Sequence, residues 1–169
     1  SSGRFPPLTN RDIAKTAQVS IGQGDMLVTP LHMALVTGAI GRNGVMWKPR
    51  LDAGEPPAPL ETIFPAGICK SLAGMMRDSV AHGTGTGADV PGLMVAGKTG
   101  TAQNPHGDDH GWFVGFAPTA NPRIAFAVIV ENAGYGSRTA VPVVAGVLKK
   151  AQEIGWFKSA SATADGGTP

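Results

Sequence analysis

The stretch Val95-Ala96-Gly97-Lys98-Thr99-Gly100-Thr101-Ala102-Gln103 decides how the chain is read. It places one cation, two hydroxyls and two glycines in a short segment that starts like a strand. Side chains alternate along a strand, so Lys98, Gly100 and Ala102 are expected on one face and Thr99 and Thr101 on the other. A glycine inside a strand weakens it and often marks where a ligand or another backbone comes close. A lysine and two threonine hydroxyls beside such an opening suit a carboxylate, with one point charge and two adaptable donors. By itself, Lys-Thr-Gly equally describes a polar edge strand with a solvated lysine, because three residues recur by chance.

A second pattern overlaps the first. Gly92, four residues, then Gly97-Lys98-Thr99 match the Walker A phosphate loop letter for letter. That loop requires a strand before its first glycine and a helix opening after the lysine. Here Gly83 to Pro91 is no buried strand, and Leu93 to Ala96 are apolar where a phosphate cradle needs exposed N–H groups. Asn104-Pro105-His106-Gly107 also argues against a helix from Thr99. Nucleotide binding is therefore the weakest reading.

Working outward, three strands are expected: Met94–Ala102, Gly111–Ala117 and Arg123–Glu131. The short turn Pro118-Thr119-Ala120-Asn121-Pro122 makes the last two antiparallel neighbours. Ile124 to Val130 is apolar on both faces, which predicts a central strand. Trp112, Phe113 and Phe116 read as core residues. Upstream, Thr29 and Pro30 open a helix as N-cap and first helical residue. Leu31, Ala34, Leu35 and Ala39 are its inward side, and it ends near Gly41. A short helix through Gln18 is capped from Thr9-Asn10, and residues 45 to 60 read as a loop-rich connection. A longer helix spans Pro65 to Ala81, with Ile68, Leu72, Met76 and Val80 as its stripe and Met75 and Met76 filling core gaps. Gly83-Thr84-Gly85-Thr86-Gly87 then reads as a mobile loop. A last helix, Ala140 to Phe157, turns Val144, Val147, Leu148, Ala151 and Ile154 inward. The order gives an α+β fold, an antiparallel sheet covered by helices.

The composition fits a single globular domain of 169 residues, 42% hydrophobic and 15% charged. A net charge of +2 gives no argument for nucleic acid. The lone Cys69 excludes an internal disulfide. The longest wholly apolar run, Ile124 to Val130, is too short to span a membrane. Without an initiator methionine the chain reads as a processed or excised piece, whose anchor would lie upstream. His106, Asp108, Asp109 and His110 cluster in a Gly/Pro loop, where no helix face aligns the histidines for a metal, so a solvated loop is expected. Asn132 to Ser137 is either a wall of a cleft beside Lys98 or an ordinary turn.

Lys98-Thr99-Gly100-Thr101-Ala102-Gln103, followed by Gly111-Trp112-Phe113-Val114-Gly115-Phe116-Ala117-Pro118, resembles the third active-site motif of penicillin-binding transpeptidases. Ile21-Gly22-Gln23-Gly24 with Thr29-Pro30-Leu31-His32-Met33-Ala34, and Gly83-Thr84-Gly85, resemble further stretches of the same family in the same order. The pattern is that of the monofunctional class B enzymes, and the Ala-, Gly-, Val- and Pro-rich composition is in keeping with an actinobacterial member. One departure is large: among all serines there is neither Ser-x-x-Lys nor Ser-x-Asn, so the nucleophile and the second serine motif are expected upstream.

The resemblance implies residues 1–158 as the C-terminal part of one transpeptidase domain with the penicillin-binding/serine β-lactamase fold, and 159–169 as a disordered tail. It implies a peptidoglycan DD-transpeptidase that needs no cofactor, acting on stem peptides ending in D-Ala-D-Ala and acylated by β-lactams. Lys98 would supply charge near the substrate carboxylate and hold the proton network of the second serine motif. Thr99 and Thr101 would bind the carboxylate, and the Thr101 N–H would be one oxyanion donor. Gly100 would leave room for substrate, and the strand after it would pair with the substrate backbone. The implied partners are the N-terminal half of the same domain and cell-division or elongation proteins, at the outer face of the plasma membrane. A DD-carboxypeptidase, a β-lactamase or a non-catalytic scaffold of the same fold are the alternatives.

Overall fold

The computed structural model describes residues 3–9 and 11–158. Asn10 and the expected tail 159–169 lie outside them. The elements run α1 (Ile13–Ser20), α2 (Pro30–Gly41), β1 (Val45–Trp47), β2 (Pro59–Thr62), α3 (Ala66–Ala81), β3 (Ala96–Ala102), β4 (His110–Ala117), β5 (Ile124–Val130) and α4 (Gly136–Glu153). A single 3-10 turn, Thr86–Ala88, joins α3 to the segment before β3. The α+β class and the antiparallel meander stand as expected.

The centre is a three-stranded sheet in the order β3-β4-β5, with Lys98 opposite Val114, Gly100 opposite Trp112 and Thr101 opposite Gly111. Its two faces are covered by different elements. On one, Phe113 and Ala117 of β4 meet Val141, Val144 and Leu148 of α4, all essentially inaccessible to solvent. On the other, Ala96 and Phe116 meet Met76 of α3 with Ile40 of α2. The aromatic pair at the centre, Phe113 and Phe126, sits with ring centroids 5.4 Å apart. Helix α4 also lies close against β4. A Cβ on Gly111 would lie 2.2 Å from Thr139 Oγ1, and one on Gly136 would lie 2.2 Å from the Trp112 carbonyl. Glycine at both positions lets the helix start directly on the strand.

Helix α2 begins as its sequence dictates: Thr29 is extended, its Oγ1 accepts from the His32 N–H at 3.2 Å, and Pro30 takes the first helical position. Several expectations need correction. Strand β5 is not central but an edge strand among the described residues, and its apolarity on both faces reflects α2 and α4 packing on either side. Residues 45 to 60 are not all connection, since β1 and the start of β2 form a short antiparallel ladder. Helix α4 starts a turn earlier than expected, which makes Pro142 an interior residue and rotates the buried stripe onto Ala140, Val141, Val144, Ala145 and Leu148. Val147 and Ile154 point outward. In α3, Ile68 and Met75 are exposed while Cys69, Met76 and Val80 are buried, and in α2 Leu31 is exposed. Helix α1 is preceded by Asp12, whose Oδ2 accepts from the Thr9 N–H at 2.9 Å and the Thr9 hydroxyl at 2.7 Å.

Candidate active site

Among the described residues strand β3 pairs with β4 on one side only, so its other side is an open edge. In an antiparallel ladder, the N–H and C=O of one residue point the same way, and successive residues alternate. The partners taken by the carbonyls settle the phase. Arg77 Nη1 donates to Val95 O at 2.8 Å, Lys98 Nζ to Thr99 O at 2.8 Å and Gln23 Nε2 to Thr101 O at 3.0 Å. Odd-numbered residues of β3 therefore present their backbone outward, and even-numbered ones bond β4. Three carbonyls of this edge are occupied. Among the described residues no hydrogen bond engages the N–H of Thr99 or Thr101. The middle of the edge thus shows donors, flanked by an ammonium group.

Facing this edge is the segment Ile21 to Val28, and between the two lies a cleft of about 510 Å³. Its floor is Trp112 and Val114 of β4 with Ile129 of β5, on the same sheet face as Lys98. Lys98 is exposed at the rim, while Thr99, Gly100 and Thr101 are half-buried. The alternation expected from the sequence is therefore present: Lys98 and Gly100 share the face of Trp112, and Thr99 and Thr101 the other. Gly100 has a specific neighbour, since a Cβ there would sit 3.1 Å from Trp112 Cβ. Its bareness spares a tight contact with the base of the Trp112 side chain. Trp112 itself is half-buried cleft floor rather than sealed core, whereas Phe113 and Phe116 are fully buried.

Two contributors escaped the reading of single motifs. Thr84 Oγ1 lies 2.6 Å from Thr99 Oγ1, so the two hydroxyls share a hydrogen bond. Gly83 to Gly87, expected as a mobile loop, is a turn against the sheet in which Gly85 is buried, as is Ala88 directly after it. Gln23 meets β3 twice, because its Oε1 also accepts from the Gln103 N–H at 3.3 Å. Neither contact has a local signal, as the partners are 15 and about 80 residues apart. The joint appearance of the stretches containing Gln23, Thr84 and Lys98 was the available hint.

Other candidates fall away. Lys98 stands in mid-strand with no helix after it, which removes the phosphate-loop geometry. No group of His, Cys, Asp and Glu suited to a metal occurs among the described residues. His110 Nδ1 instead accepts from the Asn132 N–H at 3.0 Å, and Asp109 O accepts from Ala133 and Gly134. Asn132 to Ser137 does not line the cleft. It braces the loop that does, through Asn104 Nδ2 donating to Asn132 Oδ1 at 2.6 Å.

The electrostatic frame behind β3 is Arg77. Its guanidinium forks onto Asp89, at 2.7 and 2.9 Å, while also holding Val95 O. The hydrogen bond from Arg77 holds the Asp89 carboxyl below the usual carboxylate range, and the same bond raises Arg77.

Residues 3–149 match the family model described as the penicillin binding protein transpeptidase domain. The chain is 33% identical over 158 residues to peptidoglycan D,D-transpeptidase FtsI of Escherichia coli K12, covering 87% of this chain and 27% of that protein. It is 32% identical over 164 residues to peptidoglycan D,D-transpeptidase PbpA of Mycobacterium tuberculosis H37Rv, covering 83% and 32%. The crystal structure of PBPA from Mycobacterium tuberculosis superposes with a TM-score of 0.80 at 27% identity, over 90% of this chain and 38% of that one. The chain thus spans between a quarter and a third of the length of these two relatives. An open strand edge carrying Lys-Thr-Gly-Thr, the fold around it and the sequence match agree: the chain belongs to the penicillin-binding protein transpeptidase family.

Proposed function

We propose that this chain is the C-terminal part of the catalytic domain of a peptidoglycan DD-transpeptidase, and that the β3 edge is the wall that holds its acyl donor. The observation that carries this reading is the polarity of that edge. Its carbonyls at Val95, Thr99 and Thr101 are taken, and the N–H groups at Thr99 and Thr101 are open beside Lys98. Such an edge attracts oxygen atoms that carry or develop negative charge.

In the reaction, a serine Oγ supplied from upstream attacks the carbonyl carbon between the last two D-alanines. The carbonyl oxygen becomes an oxyanion, and the Thr101 N–H donates to it. Collapse expels D-alanine, whose amine takes up a proton, and leaves an acyl-serine ester. An acceptor amine then attacks the ester, the new amide forms and the serine recovers its proton. Lys98 lowers the cost of the substrate carboxylate and of the proton transfers near it, and Thr99 and Thr101 donate hydroxyls to that carboxylate. Thr101 O accepts from Gln23 but keeps a second lone pair, so a substrate amide can still pair with the strand. β-Lactams present the same acyl carbon and carboxylate and are the expected inactivators. The relatives named as peptidoglycan D,D-transpeptidases support this reading. It carries with it a complementary N-terminal half, an anchor to the plasma membrane and action outside the cytoplasm.

Fluorescent-penicillin labelling of the complete protein, followed by peptide mass spectrometry, tests the reading. The expected result is a single acylated serine outside residues 1–169. A label within those residues, or none, overturns it.

A further inference from the structure

We propose that Gln23 is a positioning residue of the acyl-transfer site, a carboxamide clasp that aims the Thr101 N–H into the cleft. The inference rests on the transpeptidase reading above. Gln23 Nε2 donates to Thr101 O at 3.0 Å and its Oε1 accepts from the Gln103 N–H at 3.3 Å. These two backbone groups belong to the peptide planes on either side of Ala102. A primary amide is a donor and an acceptor in one plane, so it completes the open ladder there as a neighbouring strand would. The two partners also fix which end of the amide is nitrogen, because the reverse would set donor against donor.

The base of the side chain is equally well held. Gly22 and Gly24 flank it at φ +77° and +76°, values that favour glycine. The Gln23 N–H donates back to Gln18 O at 2.9 Å and the Gly22 N–H to Val19 O at 3.0 Å, so the turn is tied to the end of α1. Gln23 is half-buried. The clasp sits where β3 needs it: pairing with β4 stops at Ala102 and His110, and an edge strand frays at its last paired residue. Fixing Thr101 O outward fixes the Thr101 N–H outward, since both leave the strand on one side. Lys98 performs no such service at this end, because it holds Thr99 O.

The test uses the complete protein and benzylpenicillin, with the acylation rate constant and the dissociation constant of the preceding complex measured separately. Gln23→Met keeps the length of the side chain and removes both hydrogen bonds. It is expected to slow acylation by about 10–100-fold, the loss that accompanies misplacement of a reacting group. The preceding complex should weaken less than about twofold, as expected for an interaction made mainly in the transition state. Backbone exchange at Gln103 should accelerate as well.

Gln23→Glu separates positioning from a general packing role. A protonated carboxyl offers O–H and C=O in the arrangement of the amide, whereas the carboxylate repels Thr101 O. Its acylation rate relative to wild type should therefore recover as pH falls through the glutamic acid range, about 4.3. Lys98 and His110, the titratable groups lining the cleft, are common to both proteins and cancel in the ratio. Unchanged acylation in Gln23→Met with accelerated Gln103 exchange would overturn the positioning role. Faster acylation would make Gln23 a gate instead. A Gln23→Glu ratio flat with pH also counts against it. A wild-type protein that benzylpenicillin does not acylate overturns the transpeptidase reading itself, and this inference with it.

Discussion

Lys98, Gly97 and Gly100 lie within four positions of one strand and answer to different demands. Lys98 is exposed, and among the described residues its ammonium makes one hydrogen bond, to Thr99 O. Lys98→Ala is therefore expected to leave the unfolding free energy within about 0.5 kcal/mol, as for an open surface site. Penicillin acylation of the complete protein should nevertheless fall by about 100-fold or more, in the range of lost electrostatic stabilisation. Retained acylation would contradict the role given to the lysine. Gly97 faces the core, where a Cβ would meet Phe113 Cζ at 2.6 Å and Cε2 at 2.8 Å. Gly97→Ala should cost about 1–3 kcal/mol through overpacking, read from urea unfolding. At Gly100 the nearest atom is Trp112 Cβ at 3.1 Å, so alanine requires the two strands to give by a few tenths of an ångström rather than the larger shift Gly97 demands. Gly100→Ala should cost less stability than Gly97→Ala but disturb the cleft floor, seen as altered Trp112 fluorescence. The motif was legible at this scale because alternation along a strand is a local property. The roles of Gln23 and Thr84 were not, because their hydrogen bonds to β3 join distant parts of the chain.

The elements were legible in proportion to how locally they are determined. Helix α2 announces itself through Thr29 and Pro30, and the meander through its apolar runs and turns. Helix α4 starts one turn before the expected Ala140 because Gly136 packs directly against Trp112 O, a tertiary contact. The β1–β2 ladder was hidden because three or four residues of strand give no periodicity. The apolarity of β5 on both faces reports the layers above and below it and not its neighbours within the sheet, where β4 is its one partner among the described residues. At this scale Arg77 ties α3 to β3 through Asp89 and Val95 O. The depressed Asp89 carboxyl contributes stability that is present above the ordinary aspartate pKa, about 3.9, and is lost as pH falls through its lower folded value. Asp89 is 38% exposed, so water screens the pair and its contribution is about 1 kcal/mol or less. Asp89→Asn should be destabilised by that amount at pH 7, with the difference from wild type vanishing at strongly acid pH in pH-dependent urea melts. A difference unchanged by acid would mean that the ion pair is not its source.

At the scale of the molecule, the sheet formed by the described residues has two unpaired edges of opposite character. Because Gly100 and Trp112 bond each other, the pairing phase of β4 leaves the backbone of Ala125, Ala127 and Ile129 directed outward from β5. Among the described residues no strand pairs with that edge. A seven-residue apolar edge with alternating free donors and acceptors is a template for another strand. The chain prepared by itself is therefore expected to self-associate with rising concentration in sedimentation velocity, and Ala127→Pro, which removes an outward N–H, should suppress this. Association unaffected by the proline would place the contact elsewhere. The β3 edge differs in kind. A β-strand recognises its neighbour by a strict alternation of donor and acceptor, and on β3 that alternation is overwritten by a guanidinium, an ammonium and a carboxamide. Another copy of the chain finds no complementary script there. With three carbonyls already engaged by side chains, the β3 edge is a poorer template for a second copy of the chain than the β5 edge is, although both are unpaired strands of one sheet.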